Sequence, residues 1–299
     1  MTTPNPPSTT PRTQTAVTVL DFDGTMTDAE AEGEPFVTGY LEDLEALVGA
    51  ETPEARAKVR AIVDEVLAEL VSAPERHPFR WKGKAVAPAS VDPYLRMVPI
   101  ADRVFDRFDA FANHVDRGRL TGGVLYKHNY GRTKGRPVFR DGAAEVIAGL
   151  AGTETFVVTN SHTAAVAEKI RMLDQQHGGG CAWLAARVHG DAQKFEVDDS
   201  WNGVPAELVV PGLESRNVLL RRRRYHDRLK ALLDGLGAGW PDLTVVGDIF
   251  ELDLALPLGM GARVVLVQTR HTPPYEAAFV AAHPRGVVCT DLRDVLRLP

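Results

Sequence analysis

The sequence predicts an α/β protein, built on a parallel sheet core with an inserted, mainly helical module. Three short apolar runs, at residues 17–20, 155–158 and 243–246, each end abruptly in polar residues. Short continuous apolar runs are typical of parallel strands that are buried on both faces. Beyond residue 137, strand and helix patterns alternate, which favours a single sheet with right-handed crossovers. Residues 28–136 interrupt this alternation with a mainly helical pattern, so we interpret them as an insertion.

The composition is that of a globular protein with a sizeable core. The chain has 299 residues, of which 44% are hydrophobic, and its formal net charge is −6. An acidic balance argues against general binding of nucleic acid or of anionic membranes. There is no run of about 18 uninterrupted apolar residues, so no membrane span is expected. Cys181 and Cys289 lie far apart, and we expect reduced thiols in a cytoplasmic protein.

The first strand ends in two carboxylates. Residues 1–15, rich in Pro and Thr, are expected to form a disordered tail. After the strand at 17–20, Asp21 and Asp23 flank a single residue, and Gly24 permits a sharp turn with positive φ. Ligands of open α/β sheets bind at this end of the strands. Two carboxylates so close repel each other, and a divalent cation is the usual remedy.

The insertion contains clear helix signals. Thr52 is a predicted N-cap with Pro53 at the first helical position, and residues 72–74 give the stop. A second amphipathic segment is predicted over residues 104–111. We therefore assign residues 16–27 and 137–299 to the core and 28–136 to a helical cap.

The next part of the core continues the alternation of helix and strand patterns. Asp141 is predicted to cap a helix that ends near Gly152. The strand at 155–158 leads into Thr159-Asn160-Ser161 and a helix that stops at the glycines 178–180. Free N–H groups at the start of such a helix suit an anion.

The last part of the chain completes the sheet. Residues 182–220 are predicted to be a β-rich excursion, with strand fragments at Val188 and at 195–197. Residues 221–224, four arginines, open another helix. The final strands are predicted at 262–267 and 286–289.

Polar groups from three strands are expected to meet at one edge of the sheet. Asp21 and Asp23 follow the first strand, Thr159 the second, and Asp248 the third, with Asp253 close behind. Three carboxylates in one crevice suit Mg²⁺, which prefers oxygen ligands. The sequence has no Cys/His cluster that would offer a zinc site instead.

These residues carry a resemblance to a known superfamily. The series Asp21-Phe22-Asp23-Gly24-Thr25, then residues 157–161 ending in Thr159-Asn160-Ser161, then Val246-Gly247-Asp248 with Asp253 resembles the motifs of the haloacid dehalogenase-like superfamily of phosphohydrolases. The resemblance implies a Rossmann-like core. An insertion between the first and second motifs resembles that superfamily's first type of cap domain.

The resemblance implies a role for each residue. Asp21 would be the nucleophile that forms an aspartyl phosphate, and Asp23 would protonate the leaving alkoxide and then activate water. Dehalogenases of the superfamily lack this second acid, so phosphoryl chemistry is implied. Thr159 and Asn160 would bind the phosphate.

The implied cofactor is Mg²⁺. It would be bound by Asp21, the Asp23 carbonyl and Asp248, and would offset the repulsion between nucleophile and phosphate. Asp253 is a further candidate for the metal site, where it could orient a metal-bound water. An acid in the first turn of a helix is also favourable without a metal, so both interpretations of Asp253 stay open.

This chain departs from the superfamily's pattern at one position, that of the basic residue. It is normally a lysine near the start of the helix before the last motif, where this chain has arginines. Lys230 lies about two turns into that helix, too far from the site. We favour Lys194, with Arg222 or Arg223 as substitutes. An arginine run in an acidic protein is more often a solvated helix start or an anion clamp than a nucleic-acid site.

The predicted function is a Mg²⁺-dependent phosphatase acting on a small phosphorylated metabolite. A phosphomutase would share all these residues and differ in shielding its intermediate from water. A catalytically inert binding or regulatory protein of the same fold is the alternative from another class. A large cap that closes over the site favours a small substrate, whose identity the sequence does not specify.

Overall fold

The computed structural model describes residues 15–111, 117–133 and 136–298. The tail predicted at residues 1–15 lies outside this range except for its last residue. The strands are β1 (Val17–Leu20), β2 (Pro78–Trp81), β3 (Lys84–Pro88), β4 (Glu154–Val158), β5 (Val188–His189), β6 (Glu207–Leu208), β7 (Val218–Leu219), β8 (Leu243–Gly247), β9 (Arg263–Val267) and β10 (Gly286–Cys289). The helices are α1 (Ala29–Leu47), α2 (Pro53–Ser72), α3 (Pro93–Arg107), α4 (Tyr126–Tyr130), α5 (Ala143–Gly149), α6 (Thr163–His177), α7 (Arg223–Leu236), α8 (Ala255–Gly259) and α9 (Pro274–Ala282).

A parallel sheet of six strands forms the core, in the order β10-β9-β8-β1-β4-β5. Every neighbouring pair in it is parallel. Leu20 at the end of β1 is level with Val157 in β4 and with Val246 in β8. The loops after these three strands therefore leave the sheet at the same edge, as predicted.

Apolar side chains cover both faces of the sheet. On one face, Val19 and Val245 pack with Leu229 of α7. On the other, Leu20 and Val157 belong to a second cluster that includes helices α5 and α6. Burial on both faces explains why the strands are continuous apolar runs instead of alternating ones.

The inserted segment has its own apolar core. Helices α1, α2 and α3 pack around Phe36, Val66 and Phe105, each of them fully buried. Strands β2 and β3 form an antiparallel hairpin that the sequence analysis did not predict. Helices still dominate the insertion, so the predicted fold class, a Rossmann-like parallel sheet core with an inserted, mainly helical cap, is confirmed. The boundaries 28 and 136 remain a proposal.

Local predictions vary in their outcome. Thr52 caps α2 by accepting a hydrogen bond from the Ala55 N–H, and the helix starts at Pro53 and ends at Ser72, as predicted. Asp141 was wrongly predicted as a cap. Gly142, with a φ of +83°, is the N-cap of α5.

Hydrogen bonds explain two of the differences. The Asp141 carboxylate is bound by Arg293, at 2.8 and 3.0 Å, and so does not cap the helix. Residues 195–197 are not a strand, because Glu196 donates its N–H to the Gln193 carbonyl in a tight turn. Helix α3 ends at Arg107, so the predicted amphipathic segment stops before residue 111.

Two further features bear on the setting of the protein. Cys181 and Cys289 are both buried free thiols. Among the described residues, no helix combines the length and the apolar character that crossing a bilayer requires.

Candidate active site

Three buried carboxylates meet at the edge of the sheet. Asp21, Asp248 and Asp253 each offer an oxygen within 4.8 Å of the others. Asp21 follows β1, Asp248 follows β8, and Asp253 lies in the π-helical turn Phe250–Leu254. Their exposed fractions are 7%, 6% and 3%, so the cluster is almost completely removed from water.

Gly24 and Thr25 bring the first loop close to Asp248. Gly24 has a φ of +89°, and a Cβ atom there would lie 2.3 Å from Asp248 Oδ2. Glycine is therefore required for both the backbone conformation and the close approach. The Thr25 hydroxyl lies 2.9 Å from Asp248 Oδ1 and 3.2 Å from Asp21 Oδ2, and it joins the two carboxylates.

Lys194 supplies the positive charge of the cluster. Its Nζ donates to Asp21 Oδ1 at 2.6 Å and to Asp253 Oδ1 at 2.8 Å, and the side chain is 1% exposed. The ammonium also lies 5.4 Å from the centre of the Tyr225 ring. Of the basic residues considered from the sequence, Lys194 is the one that the structure brings to the carboxylates.

The loop that carries Lys194 is held from several sides. The Asn160 side chain accepts the Lys194 N–H at 2.7 Å. Arg222, fully buried, donates to the Lys194 carbonyl at 2.5 Å and to the Val86 carbonyl at 2.7 Å. Arg222 therefore supports the loop without touching the carboxylates. Arg223 points away and lies 3.7 Å from Asp198.

The backbone before Lys194 is strained. Asp191 and Gln193 have φ values of +54° and +52°, in a region that is costly for residues other than glycine. Such conformations persist only where surrounding contacts impose them, and they are frequent at functional sites. The contacts made by Asn160 and Arg222 are of this kind.

Asp23 belongs to a separate group of contacts. Its carboxylate accepts a hydrogen bond from Lys169 Nζ at 3.0 Å and one from the Thr159 hydroxyl at 3.3 Å. Lys169, in α6, also donates to Glu32 in α1 at 2.5 Å. The carboxylate predicted to exchange protons is thus held between the core and the insertion.

Lys169, Glu32 and Thr25 were not predicted as site residues. Thr25 was quoted in the first motif but given no role. Lys169 and Glu32 lie far apart in the chain, and only the packing of α1 against the core brings them together. The structure brings together the predicted residues Asp21, Asp248, Asp253 and Lys194 in one group, and Asp23 with Thr159 in the adjoining one.

Burial and mutual repulsion raise the proton affinity of the carboxylates. Burial and the neighbouring Asp253 raise the pKa of Asp21 to about 7, against the opposing effect of Lys194. Burial and the charge of Asp21 raise the pKa of Asp248 well above its ordinary range. Burial alone would lower the pKa of Lys194, but Asp21 and Asp253 raise it above its usual value. The lysine is therefore charged, and the cluster still lacks positive charge.

The donor set fits a hard divalent cation. All three side chains of the cluster offer carboxylate oxygens, which Mg²⁺ and Ca²⁺ prefer. Burial first, and then the neighbouring carboxylates, raise the pKa values of Asp21 and Asp248, and a bound cation would favour their ionised forms. The Asp23 carboxylate is bound to Lys169 and lies outside this oxygen cluster, so any contribution from Asp23 would come through its main chain.

A cavity of about 270 Å³ opens over Asp21 between the core and the insertion. Asp23, Thr159 and Lys169 also line it. A larger cleft of about 830 Å³ lies on the other side of the loop, lined by Gly24, Asp248 and residues of α1. The smaller cavity is the better substrate site, because both carboxylates of the first motif border it.

Comparison with known proteins finds similar solved structures at low sequence identity. No family profile and no curated protein matches the chain. Among solved structures, it is similar to a haloacid dehalogenase-like family hydrolase from Xanthomonas campestris, with 14% identity over 97% of this chain and 92% of the other, at a TM-score of 0.47. It is also similar to a predicted phosphoglycolate phosphatase from Haemophilus somnus, with 14% identity over 96% of this chain and 98% of the other, at a TM-score of 0.49. A third similar structure is an L-2-haloacid dehalogenase, with 14% identity over 95% of this chain and 98% of the other, at a TM-score of 0.38.

These likenesses concern the fold and carry no argument about the reaction. Several of these solved structures are haloacid dehalogenase-like proteins, the superfamily that the sequence motifs of this chain resemble. Phosphatases and dehalogenases occur among them, so the reaction has to be argued from the side chains of this chain.

Proposed function

We propose that the protein is a Mg²⁺-dependent phosphatase that hydrolyses a phosphate monoester through an aspartyl phosphate on Asp21. The observation that carries this proposal is the pair of carboxylates, Asp21 and Asp23, that border one cavity with different partners. Asp21 belongs to the buried acidic cluster, whereas Asp23 is held by Lys169 and Thr159. We therefore assign the attack to Asp21 and the proton transfer to Asp23.

The two steps follow from this division. In the first, an Asp21 oxygen forms a bond to phosphorus as the bond to the leaving oxygen breaks, and Asp23 gives its proton to that oxygen. In the second, Asp23 removes a proton from water, whose oxygen bonds to phosphorus and releases Asp21. The Thr159 hydroxyl, beside Asp23, and Asn160 are the groups we assign to the phosphate oxygens.

Lys194 contributes charge and position. Its ammonium binds Asp21 and Asp253 at once, so it fixes the nucleophile and reduces its repulsion of an incoming phosphate. Enzymes that transfer phosphoryl groups stabilise the transition state mainly by preorganised positive charge.

Mg²⁺ would be held by Asp21, Asp248 and the main-chain carbonyl of Asp23, with Asp253 completing the surroundings. When bound, it would supply the positive charge that offsets the repulsion between the nucleophile and the phosphate. The substrate proposed is a small phosphorylated metabolite, because the cavity is enclosed between two layers of the protein. We place the protein in the cytoplasm on the strength of its two free, buried thiols.

The test is hydrolysis of 4-nitrophenyl phosphate and of a panel of alkyl phosphates, with Mg²⁺ or with a chelator. Asp21→Asn keeps the size of the side chain and removes the nucleophile, so we expect phosphate release to fall at least about a thousandfold. Asp227→Asn, an exposed aspartate of α7, is the matched control and should leave the rate unchanged.

Halide release from 2-haloacids is measured in parallel. Release of halide without release of phosphate would overturn the proposal in favour of dehalogenation. Full phosphatase activity in Asp21→Asn would refute the covalent step.

A further inference from the structure

Aromatic rings line the cavity over the carboxylates from two sides. Tyr94, Tyr126 and Tyr130 come from the helical insertion, and their ring centres lie 5.6 to 6.2 Å apart. Phe79 of β2 and Phe195 after Lys194 form an edge-to-face pair at 6.4 Å. Five aromatic rings therefore border this small cavity.

The charges in the cavity wall are mainly negative. Beyond Asp21 and Asp23, the carboxylates of Glu32 and Asp92 also line it. Among the residues that the structure describes, Lys169 is the cation of this wall, and it is bound by both Asp23 and Glu32. It is therefore not available to bind a second anionic group of a substrate.

Asp92 is a carboxylate that the insertion contributes to this wall. It is the N-cap of α3, where its Oδ1 accepts the N–H groups of Tyr94 and Leu95 at 2.7 and 3.1 Å. Burial raises its pKa to about 6, which leaves it charged at pH 7.5 in apolar surroundings. The nearby cation Arg96 is engaged by Glu30 and does not line the cavity.

We propose that this cavity selects phosphate monoesters whose leaving group ends in an ammonium, the phosphate of an amino alcohol or of a quaternary ammonium alcohol. Aromatic faces attract such cations, most strongly where water is excluded, and the carboxylates of Asp92 and Glu32 add attraction of the same sign. A carboxylate or a second phosphate in the leaving group would meet these acids without a free cation. The inference rests on the proposed phosphatase function and adds its substrate class.

The test compares three esters of similar size that differ in charge. They are choline phosphate, its neutral isostere 3,3-dimethylbutyl phosphate, and the anionic 3-carboxypropyl phosphate. We expect kcat/KM to favour the ammonium ester over the neutral one by at least about tenfold, which a cation–π contact of about 1.4 kcal/mol supplies. The anionic ester should be the poorest of the three.

Two variants test whether Asp92 and Tyr130 cause the preference for the ammonium ester. Asp92→Asn retains the carbonyl oxygen that caps α3 and removes the charge, so it should lower kcat/KM for the ammonium ester and spare the neutral ester. Tyr130→Leu, at a ring that is 40% exposed, removes one π face at little risk to folding. Asp227→Asn, on the surface, is the matched control and should change no ratio.

Each result decides the inference. Equal rates for the ammonium and neutral esters, or a preference for the neutral one, would overturn it while the phosphatase function stands. If no ester, including 4-nitrophenyl phosphate, is hydrolysed, the proposed function fails. The binding preference is then measured by calorimetry with the same esters on Asp21→Asn, where equal affinities would overturn the inference as well.

Discussion

Replacing Lys194 by methionine tests the electrostatic balance of the site. The ammonium makes two buried ion pairs, with Asp21 at 2.6 Å and with Asp253 at 2.8 Å. Methionine fills much of the same volume but leaves the carboxylates without their cation. Removing one partner of a buried ion pair typically costs about 3–5 kcal/mol, a large part of the roughly 5–15 kcal/mol that stabilises a folded protein.

The assay is urea unfolding of Lys194→Met and of the wild type, each with and without Mg²⁺. Without metal, we expect the free energy of unfolding to fall by about 3–5 kcal/mol. With Mg²⁺, the variant should recover more stability than the wild type gains, because the unpaired negative charge of the buried cluster then binds the cation with no competing ammonium. Phosphatase activity should fall at least about a hundredfold with the metal present, the size of effect that follows loss of one preorganised electrostatic contact.

Lys230→Met is the matched control. Lys230 pairs with Asp234 on the exposed side of α7, and surface pairs of this type contribute about 0–1 kcal/mol. A loss of stability in Lys194→Met no larger than in Lys230→Met would refute the reasoning. So would an equal stabilisation of variant and wild type by Mg²⁺.

Two further predictions concern backbone conformation and pH. Gly24→Ala should abolish activity, because its Cβ atom would lie 2.3 Å from Asp248 Oδ2. Gly49 is the matched control, since it has a comparable positive φ of +69° and open space around it. Gly49→Ala should keep its activity, and its free energy of unfolding in urea should fall by only about 1 kcal/mol. Burial and then the charge of Glu251 raise the pKa of Glu276 well above its usual range, so the wild type should lose stability as the pH rises above 4.5 towards the folded-state pKa. Asp21 and Asp248 contribute in the same direction, so Glu276→Gln should reduce this slope without removing it, and it should be the more stable protein at pH 8 by about 1–3 kcal/mol. Parallel pH dependences of the two proteins in urea unfolding would contradict this assignment.

The parallel core could be predicted because each of its strands carries its own local signal. The runs at β1, β4 and β8 are short, continuous and apolar, as burial between two layers of helices demands. Once the strands are parallel, their carboxyl ends must share an edge, so Asp21 and Asp248 could be placed together without knowledge of strand order.

The hairpin β2–β3 was not predicted, and the backbone of its turn shows how it forms. Lys82 and Gly83 both have positive φ, at 48° and 83°, which is the conformation of a tight hairpin turn. The sequence analysis assigned the flanking residues only to a mainly helical insertion. The alternation of Phe79 and Trp81 with polar neighbours was too short to indicate a strand.

Lys194 was the favoured basic residue, but its spacing alone could not decide between it and the arginines. No regular element surrounds it, and its position depends on Asn160 and Arg222, which are distant in the chain. Arg222 was an alternative because it belongs to the arginine run at the predicted start of the helix, and the structure buries it beside the same loop. Its guanidinium donates hydrogen bonds to backbone carbonyls, and a sequence pattern does not reveal such contacts.

The contacts of Asp23 lie furthest beyond sequence reasoning and matter most for the chemistry. Lys169 binds Asp23 from α6 and Glu32 from α1, and residues 32 and 169 are separated by 137 positions. An ion pair across such a separation forms only where the insertion packs against the core. The orientation of the carboxylate that we assign to proton transfer therefore depends on the docking of the cap, because the lysine that holds Asp23 is itself held by a residue of the cap.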